Sequence, residues 1–443
     1  MGIFILKVDL HVLLILGAVV TALASKYIGY KWSEIESAMG TGVGRGMVAM
    51  FIFILIGMII GSWIHCGTVP AFIYYGLGFL TPATFLPLGL VVCSITSLAT
   101  GTSWGTAGTV GLAMMGIGAG LGVPAPITAG MVISGACLGD KMSPLSDTTN
   151  LAAVSAGTDL YEHIRSMMYT TVPSFLIALV AFTVIGIRYA GGSLDADAVL
   201  EIQNAITAKF HITPLLLLPM ILVIILSVMK VPAVPAMVAG AFLGTLMSVV
   251  VQGASISEAL SAINYGFSGE SGVAAVDKLL NRGGIQSMMW TFSLSFIALS
   301  LGGALDEMGF LSVLVEGILS KVHSAAGLMT VAVLSSIGGN AAMGEAYLSI
   351  ILNGRLYYHA FEKVGLRRSM LSRALEEGAT LTTTIIPWTT AGAFMAATLG
   401  VPTVYYLPFA LLNWINPLLS IVLSHLGIFM FYREDKAETA AKA

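Results

Sequence analysis

Gly139-Asp140-Lys141-Met142-Ser143-Pro144-Leu145-Ser146-Asp147-Thr148-Thr149-Asn150 ends the longest charge-free run in the chain. From residue 46 to residue 139, 94 residues, there is no Asp, Glu, Lys or Arg. A soluble domain cannot cover its surface in this way, whereas a bilayer protein can, because hydrocarbon is its solvent. Two carboxylates and a group of hydroxyls then appear where apolar helices should still be spanning. Ionisable groups at that depth are costly and mark ion or substrate paths. The whole chain agrees: 443 residues, 57% hydrophobic, 10% charged, mean hydropathy +0.91. The expected fold class is an all-α polytopic membrane protein that works as a transporter.

The formal net charge of -3 gives no reason to expect a nucleic acid or another charged macromolecule as partner. Cys66, Cys93 and Cys137 all fall in the charge-free run and read as small apolar packing residues. No nucleophile–base pair, metal cluster or Walker motif is visible, so neither catalysis nor transport driven by ATP hydrolysed on this chain is expected. No cofactor is expected. Residues 10–25 resemble a signal peptide, but the many later spans favour a retained first transmembrane helix.

A span needs about 20 apolar residues. Residues 46–139 hold at least three, and further charge-free stretches lie at 166–187, 210–229, 231–257, 283–305, 322–344 and 378–432. Ten to thirteen membrane segments follow, some broken or re-entrant. The expected organisation is an N-terminal helix and loop (1–45), a first membrane repeat (46–190) and a connecting segment with two membrane helices (191–282). A second repeat (283–432) and a polar tail (433–443) complete it. Arg355, Lys363, Arg367, Arg368 and Arg373 form the densest basic cluster, placing 353–373 on the cytoplasmic side.

The halves look related. Ser143–Asn150 resembles Thr383–Thr390 at an offset of 240 (383 − 143), Gly101–Gly105 lies over Asn340–Gly344 at 239 (340 − 101), and Ile60–Trp63 over Leu301–Ala304 at 241 (301 − 60). Interrupted apolar segments at matching places in two halves point to a site at the bilayer midplane. The first-half candidates are Asp140, Asp147, Ser143, Thr148 and Asn150, with Thr102 and Ser103 in the Gly-rich, uncharged stretch 101–109. Pro144 prevents a continuous helix, and an unwound segment frees carbonyls that bind cations beside these side-chain oxygens. The alternatives are that Asp147 caps the next helix, that Asp140 pairs with Lys141 at the membrane surface, and that 101–109 is small-residue helix packing. In the second half the candidates are Glu345, Thr383, Thr384, Trp388 and Thr389.

Residues 139–150 resemble the signature of the NhaC-type sodium/proton antiporter family of the ion-transporter superfamily. Gly101-Thr102-Ser103-Trp104-Gly105-Thr106, Leu371-Ser372-Arg373-Ala374-Leu375-Glu376-Glu377 and Ile386-Pro387-Trp388-Thr389-Thr390-Ala391-Gly392-Ala393 are similar to further family motifs. Two positions depart: Thr389 stands where the family commonly has Asn, and Glu377 where it has Asp. The resemblance implies two inverted structural repeats with re-entrant hairpins and broken helices, often assembled as a homodimer in the cell inner membrane. It implies sodium/proton antiport, with sodium and protons as the transported species. Ionised Asp147 would bind sodium, helped by Ser143, Thr148, Asn150 and Thr102, with Asp140 as a second titratable group. Glu345, Thr383 and Trp388 would close the site from the other repeat. Some relatives exchange organic substrates, so coupled exchange of a small carboxylate or amino acid is the alternative.

Overall fold

The computed structural model describes residues 8–190, 196–273, 276–277, 280–319, 322 and 324–433. Two helices precede the charge-free run: α1 (Leu10–Tyr27), capped by Asp9, and α2 (Trp32–Arg45). Residues 32–45 are therefore helical where the sequence reading placed a loop. Their glycines serve close packing, since a Cβ on Gly42 would lie 2.7 Å from Gly303 Cα.

The first half continues with α3 (Met47–His65), α4 (Thr68–Phe79) and α5 (Pro82–Thr100). Gly101 then turns the chain at φ 72° into α6 (Ser103–Thr106), which passes through a π turn (Ala107–Gly111) into α7 (Leu112–Gly120). Next come α8 (Ala125–Met142), the break at 143–146, α9 (Asp147–Ala156) and the long α10 (Leu160–Ala190). The connector holds α11 (Ala196–Lys209), α12 (Leu218–Val228), α13 (Ala233–Val250) and α14 (Ile256–Tyr265).

The second half runs α15 (Met289–Glu307), α16 (Phe310–Leu319), α17 (Ala325–Met343) and α18 (Ala346–Lys363). After these, α19 (Arg368–Leu375) continues through a π turn (Glu376–Thr380) into α20 (Leu381–Thr383). The chain then breaks at 384–389 and resumes as α21 (Thr390–Leu399), α22 (Thr403–Tyr406) and α23 (Leu411–His425). Among the described residues no strand forms; Leu366 and Tyr432 make an isolated antiparallel bridge. Of the polar tail at 433–443, only Arg433 lies within the described residues.

Among the described residues seven helices are long and apolar enough to cross a membrane, or up to nine if two bent pairs each count as one span. The sequence count was higher, and the difference lies in the third pass expected within 46–139, where α8 falls, and in the first of the two expected within 378–432, where α21 falls. Each of these two helices abuts a break, α8 before residues 143–146 and α21 after residues 384–389.

Helix positions define a repeat more sharply than the sequence matches do. α3 and α4 recur as α15 and α16 at an offset of 242 (289 − 47, 310 − 68). α5, α8 and α9 recur as α17, α19 and α21 at 243 (325 − 82, 368 − 125, 390 − 147). Gly101 thus corresponds to Gly344, and both take left-handed φ values, 72° and 70°. The sequence matches at 239–241 aligned similar polar residues, whereas the backbone breaks fix the true register.

Small residues bring the site helices together, as is usual between membrane helices. A Cβ on Gly139 would lie 2.2 Å from Leu98 N, so α8 lies directly against α5 at the point where Asp140 begins. Ser97 Oγ donates to Ala136 O at 2.5 Å across the same contact.

Candidate functional site

Asp140 closes α8 and is buried, 9% exposed. Both carboxylate oxygens are held by hydroxyls from two different segments. Ser103 Oγ, just past the Gly101 turn, donates to Oδ2 at 2.5 Å, and Ser146 Oγ, at the end of the break, donates to Oδ1 at 2.6 Å. Ser146 also caps α9, as serine commonly does at a helix start. Thr149 Oγ1 lies 2.9 Å from Asp140 O and 3.0 Å from Lys141 O, satisfying carbonyls left open at the end of α8.

The second half meets this cluster through Glu376, which opens the π turn after α19 and is fully buried. Thr380 Oγ1 donates to its Oε2 at 2.7 Å, and Thr148 Oγ1 to its Oε1 at 3.1 Å. Thr149 Oγ1 is 3.4 Å from the same Oε1. Asp140 and Glu376 act on each other as like charges. Buried Lys141 acts on Glu376 as an opposite charge, more strongly than Asp140 acts on it as a like one, whereas Asp140 is held by neutral hydroxyls and requires a cation or a proton for neutralisation.

Behind this oxygen cluster lies an ionic network. Lys141 Nζ donates to Asn416 Oδ1 at 2.6 Å and sits 3.6 Å from Glu377 Oε1. Thr170 Oγ1 donates to that oxygen at 2.5 Å, and Arg373 Nε lies 4.0 Å from it. Lys141, Arg373 and Glu377 are all fully buried. The sequence alternative that paired Asp140 with Lys141 at the surface is therefore corrected: neighbours in sequence, they face different partners. Arg373 is also corrected, from the cytoplasmic basic cluster to the protein interior.

The first-half candidates divide by role. Asp140, Ser103 and Thr148 join the buried cluster. Asp147, the first residue of α9, is exposed but close enough to act on Asp140 as a like charge. Ser143 Oγ donates to Leu98 O at 2.8 Å, and Asn150 Nδ2 to Pro144 O at 2.9 Å and Ser146 O at 2.7 Å. Thr102 Oγ1 accepts from Gly105 N at 3.3 Å. These three shape the breaks.

In the second half, Glu345 follows Gly344 and caps α18, accepting from Ala346 N at 3.0 Å and from the Thr390 hydroxyl. Trp388 Nε1 donates to Ala341 O at 2.7 Å and Thr389 Oγ1 to Ile386 O at 2.9 Å, which fixes the break. Thr384 Oγ1 donates to Leu381 O at 3.1 Å and accepts from Asn413 Nδ2 at 2.9 Å. Thr383 Oγ1 is buried without a hydrogen-bond partner among the described residues. Tyr347 lies within electrostatic reach of Asp140, Asp147, Glu345 and Glu376, so the two breaks face one region.

Sequence reasoning counts Ser146 and Thr149 among the oxygens of the broken segment and marks Glu376-Glu377 as the start of a second polar, broken stretch, but it misses Tyr347 and the Lys141–Glu377–Arg373 network. One signal was available: Lys141 and Glu376-Glu377 are charges bordering otherwise apolar helices.

A helical, multi-pass chain whose halves bring carboxylates to facing helix breaks is a secondary transporter of the plasma membrane. The profile described as the Na+/H+ antiporter family matches residues 3–144 and 135–428. The Na(+)/H(+) antiporter NhaC of Alkalihalophilus pseudofirmus is 42% identical over 427 residues, 96% of this chain and 92% of that protein. The malate-2H(+)/Na(+)-lactate antiporter of Bacillus subtilis is 40% identical, covering 94% and 89%. The arginine/ornithine antiporter ArcD of Halobacterium salinarum is 37% identical, covering 99% and 93%. The chain belongs to the Na+/H+ antiporter family.

Proposed function

We propose that this protein exchanges sodium for protons at the Asp140–Glu376 cluster. The observation that carries the reading is the meeting of two buried carboxylates, one from each half, across the hydroxyls of Ser146, Thr148 and Thr149. Sodium is a hard cation that prefers oxygen ligands. A carboxylate that has lost its proton binds it, and a carboxylate that regains the proton releases it. Ser103, Ser146 and Thr148 each bring a hydroxyl oxygen to the same place. Asp147, exposed at the start of α9, meets the ion first, and Glu345, Thr383, Thr384, Trp388 and Thr389 bound the site from the second half. No cofactor takes part in this scheme, and the family resemblance supports a homodimer.

The test is sodium-driven proton movement in proteoliposomes holding a pH-sensitive dye. Wild-type protein is expected to move protons on addition of sodium alone, with loss of about 100-fold or more in Asp140→Asn and in Glu376→Gln. Full exchange in both variants would remove the assignment.

Coupled exchange of a small carboxylate or amino acid is the second reading. Relatives named for malate/lactate and arginine/ornithine exchange match nearly as well as the sodium/proton one. The unpartnered Thr383 hydroxyl beside the second break offers a polar contact for such a solute. Proton movement that begins only when malate, lactate or an amino acid is added would favour it.

A further inference from the structure

After α23 the chain folds back as a strap, residues 426–433, over the turn between α18 and α19. Arg367 N donates to Phe431 O and Arg433 N to Gly365 O, both at 2.9 Å, and Arg367 Nε donates to Tyr432 O at 3.0 Å. The Phe429 and Phe431 rings lie 4.9 and 5.2 Å from that of Tyr169. Phe429 has φ 57°, a left-handed conformation that a bulky side chain holds only where its surroundings impose it.

The Phe429 carbonyl accepts from Arg373 Nη1 at 3.1 Å. The same buried guanidinium reaches Glu377 Oε1, which is shared with Lys141, the residue next to Asp140. Arg373 Nε, 4.0 Å from that oxygen, and Nη2 make no hydrogen bond among the described residues. Lys141 meets the C-terminal helix a second time, through Asn416. The strap is thus linked to the ion site through the charges of Arg373, Glu377 and Lys141, at separations of 4.0 and 3.6 Å, and Lys141 acts in turn on Glu376; Phe429 adds backbone strain at the outer end.

We infer that Arg373 is a positioning residue that ties the C-terminal strap to the Asp140–Glu376 site. With the strap in place, the Phe429 carbonyl shares the guanidinium with Glu377, and Glu377 remains close to Lys141. Without it, Arg373 has Glu377 alone to offset its buried charge and draws that carboxylate away from Lys141. Lys141 then presents a less compensated positive charge to Glu376, on which it already acts, and sodium binds less well. In its transport readout this inference rests on the antiport reading above.

The test compares wild-type protein with a chain ending at Leu426 and with Phe429→Gly, which keeps the strap but removes the ring and permits the backbone to relax. Two quantities are measured: the sodium KM and Vmax of proton counterflow in proteoliposomes, and hydrogen–deuterium exchange over residues 139–150. The expected result in both variants is a KM raised about 5-fold, Vmax changed less than about twofold, and faster exchange at 139–150. Unchanged KM and unchanged exchange, with only a lower Tm, would make the strap a structural seal and overturn the inference. A wild-type protein that moved no protons with sodium would remove the antiport reading, while the exchange comparison would still decide the role of the strap.

Discussion

Asp140 and Asp147 are seven positions apart in the chain numbering and differ in what surrounds them. Asp140 is buried with hydroxyls on both oxygens, whereas Asp147 begins a helix at an exposed position. Substitution should therefore separate them. Asp147→Asn is expected to raise the sodium KM by less than about 10-fold while Asp140→Asn abolishes exchange, a contrast read from initial rates across sodium concentrations. Lys141 carries a different kind of role. Removing one member of a buried ion pair leaves the other uncompensated, so Lys141→Met should destabilise by about 3–5 kcal/mol. Lys141→Met combined with Glu377→Leu should recover part of that loss, because the two sites share one network, and a double-mutant cycle in thermal unfolding measures the coupling. The sequence made the acidic segment conspicuous, since charge in an apolar run has few explanations. It could not tell which carboxylate turns inward, because that depends on where the helix breaks. Glu376 was less legible still: whether a carboxylate at the edge of a basic stretch is surface or interior is decided by the π turn it opens.

The breaks themselves are built by glycine and by hydroxyl caps. Gly101 and Gly344 occupy equivalent left-handed turns, each followed by a residue that caps the next helix, Thr102 and Glu345. Alanine at either turn is expected to cost about 1 kcal/mol or more, seen as a lowered Tm. Gly139→Val should do more harm, since α8 touches the α5 backbone there and the two helices would have to separate. At the outer end of α18, Glu362 accepts a hydrogen bond from Arg368 at 2.8 Å and has Arg433 at 3.6 Å. The Arg368 hydrogen bond, followed by the charges of Arg368, Arg433 and His359, holds its carboxyl below its usual value of 4.5. A lowered folded-state value means that the contribution is present above about pH 4.5 and is lost as pH falls through the lower folded value. The Tm difference between wild type and Glu362→Gln should accordingly be small at neutral pH and vanish in acid. Spans and breaks were largely legible, because hydrocarbon demands apolar helices and Pro144 and Pro387 interrupt them. The repeat register was not. Polar residues recur in both halves but serve different roles, so matching them misses the equivalence of Gly101 with Gly344.

At the scale of the whole molecule, two related halves each supply a broken helix, and their carboxylates are linked through the hydroxyls of Ser146 and Thr148, with Lys141 as the positive charge acting on Glu376 and neutral hydroxyls alone on Asp140. That arrangement makes proton and sodium competitors for the same oxygens, which is the central claim. Purified protein in a weakly buffered solution with a pH-sensitive dye tests it without any transport assay. Addition of sodium chloride to wild-type protein should release about one proton per sodium bound, as ligand deprotonation on cation binding requires, and Asp140→Asn should release none. Sodium binding with no proton release by the wild-type protein, or undiminished release by Asp140→Asn, would contradict the account.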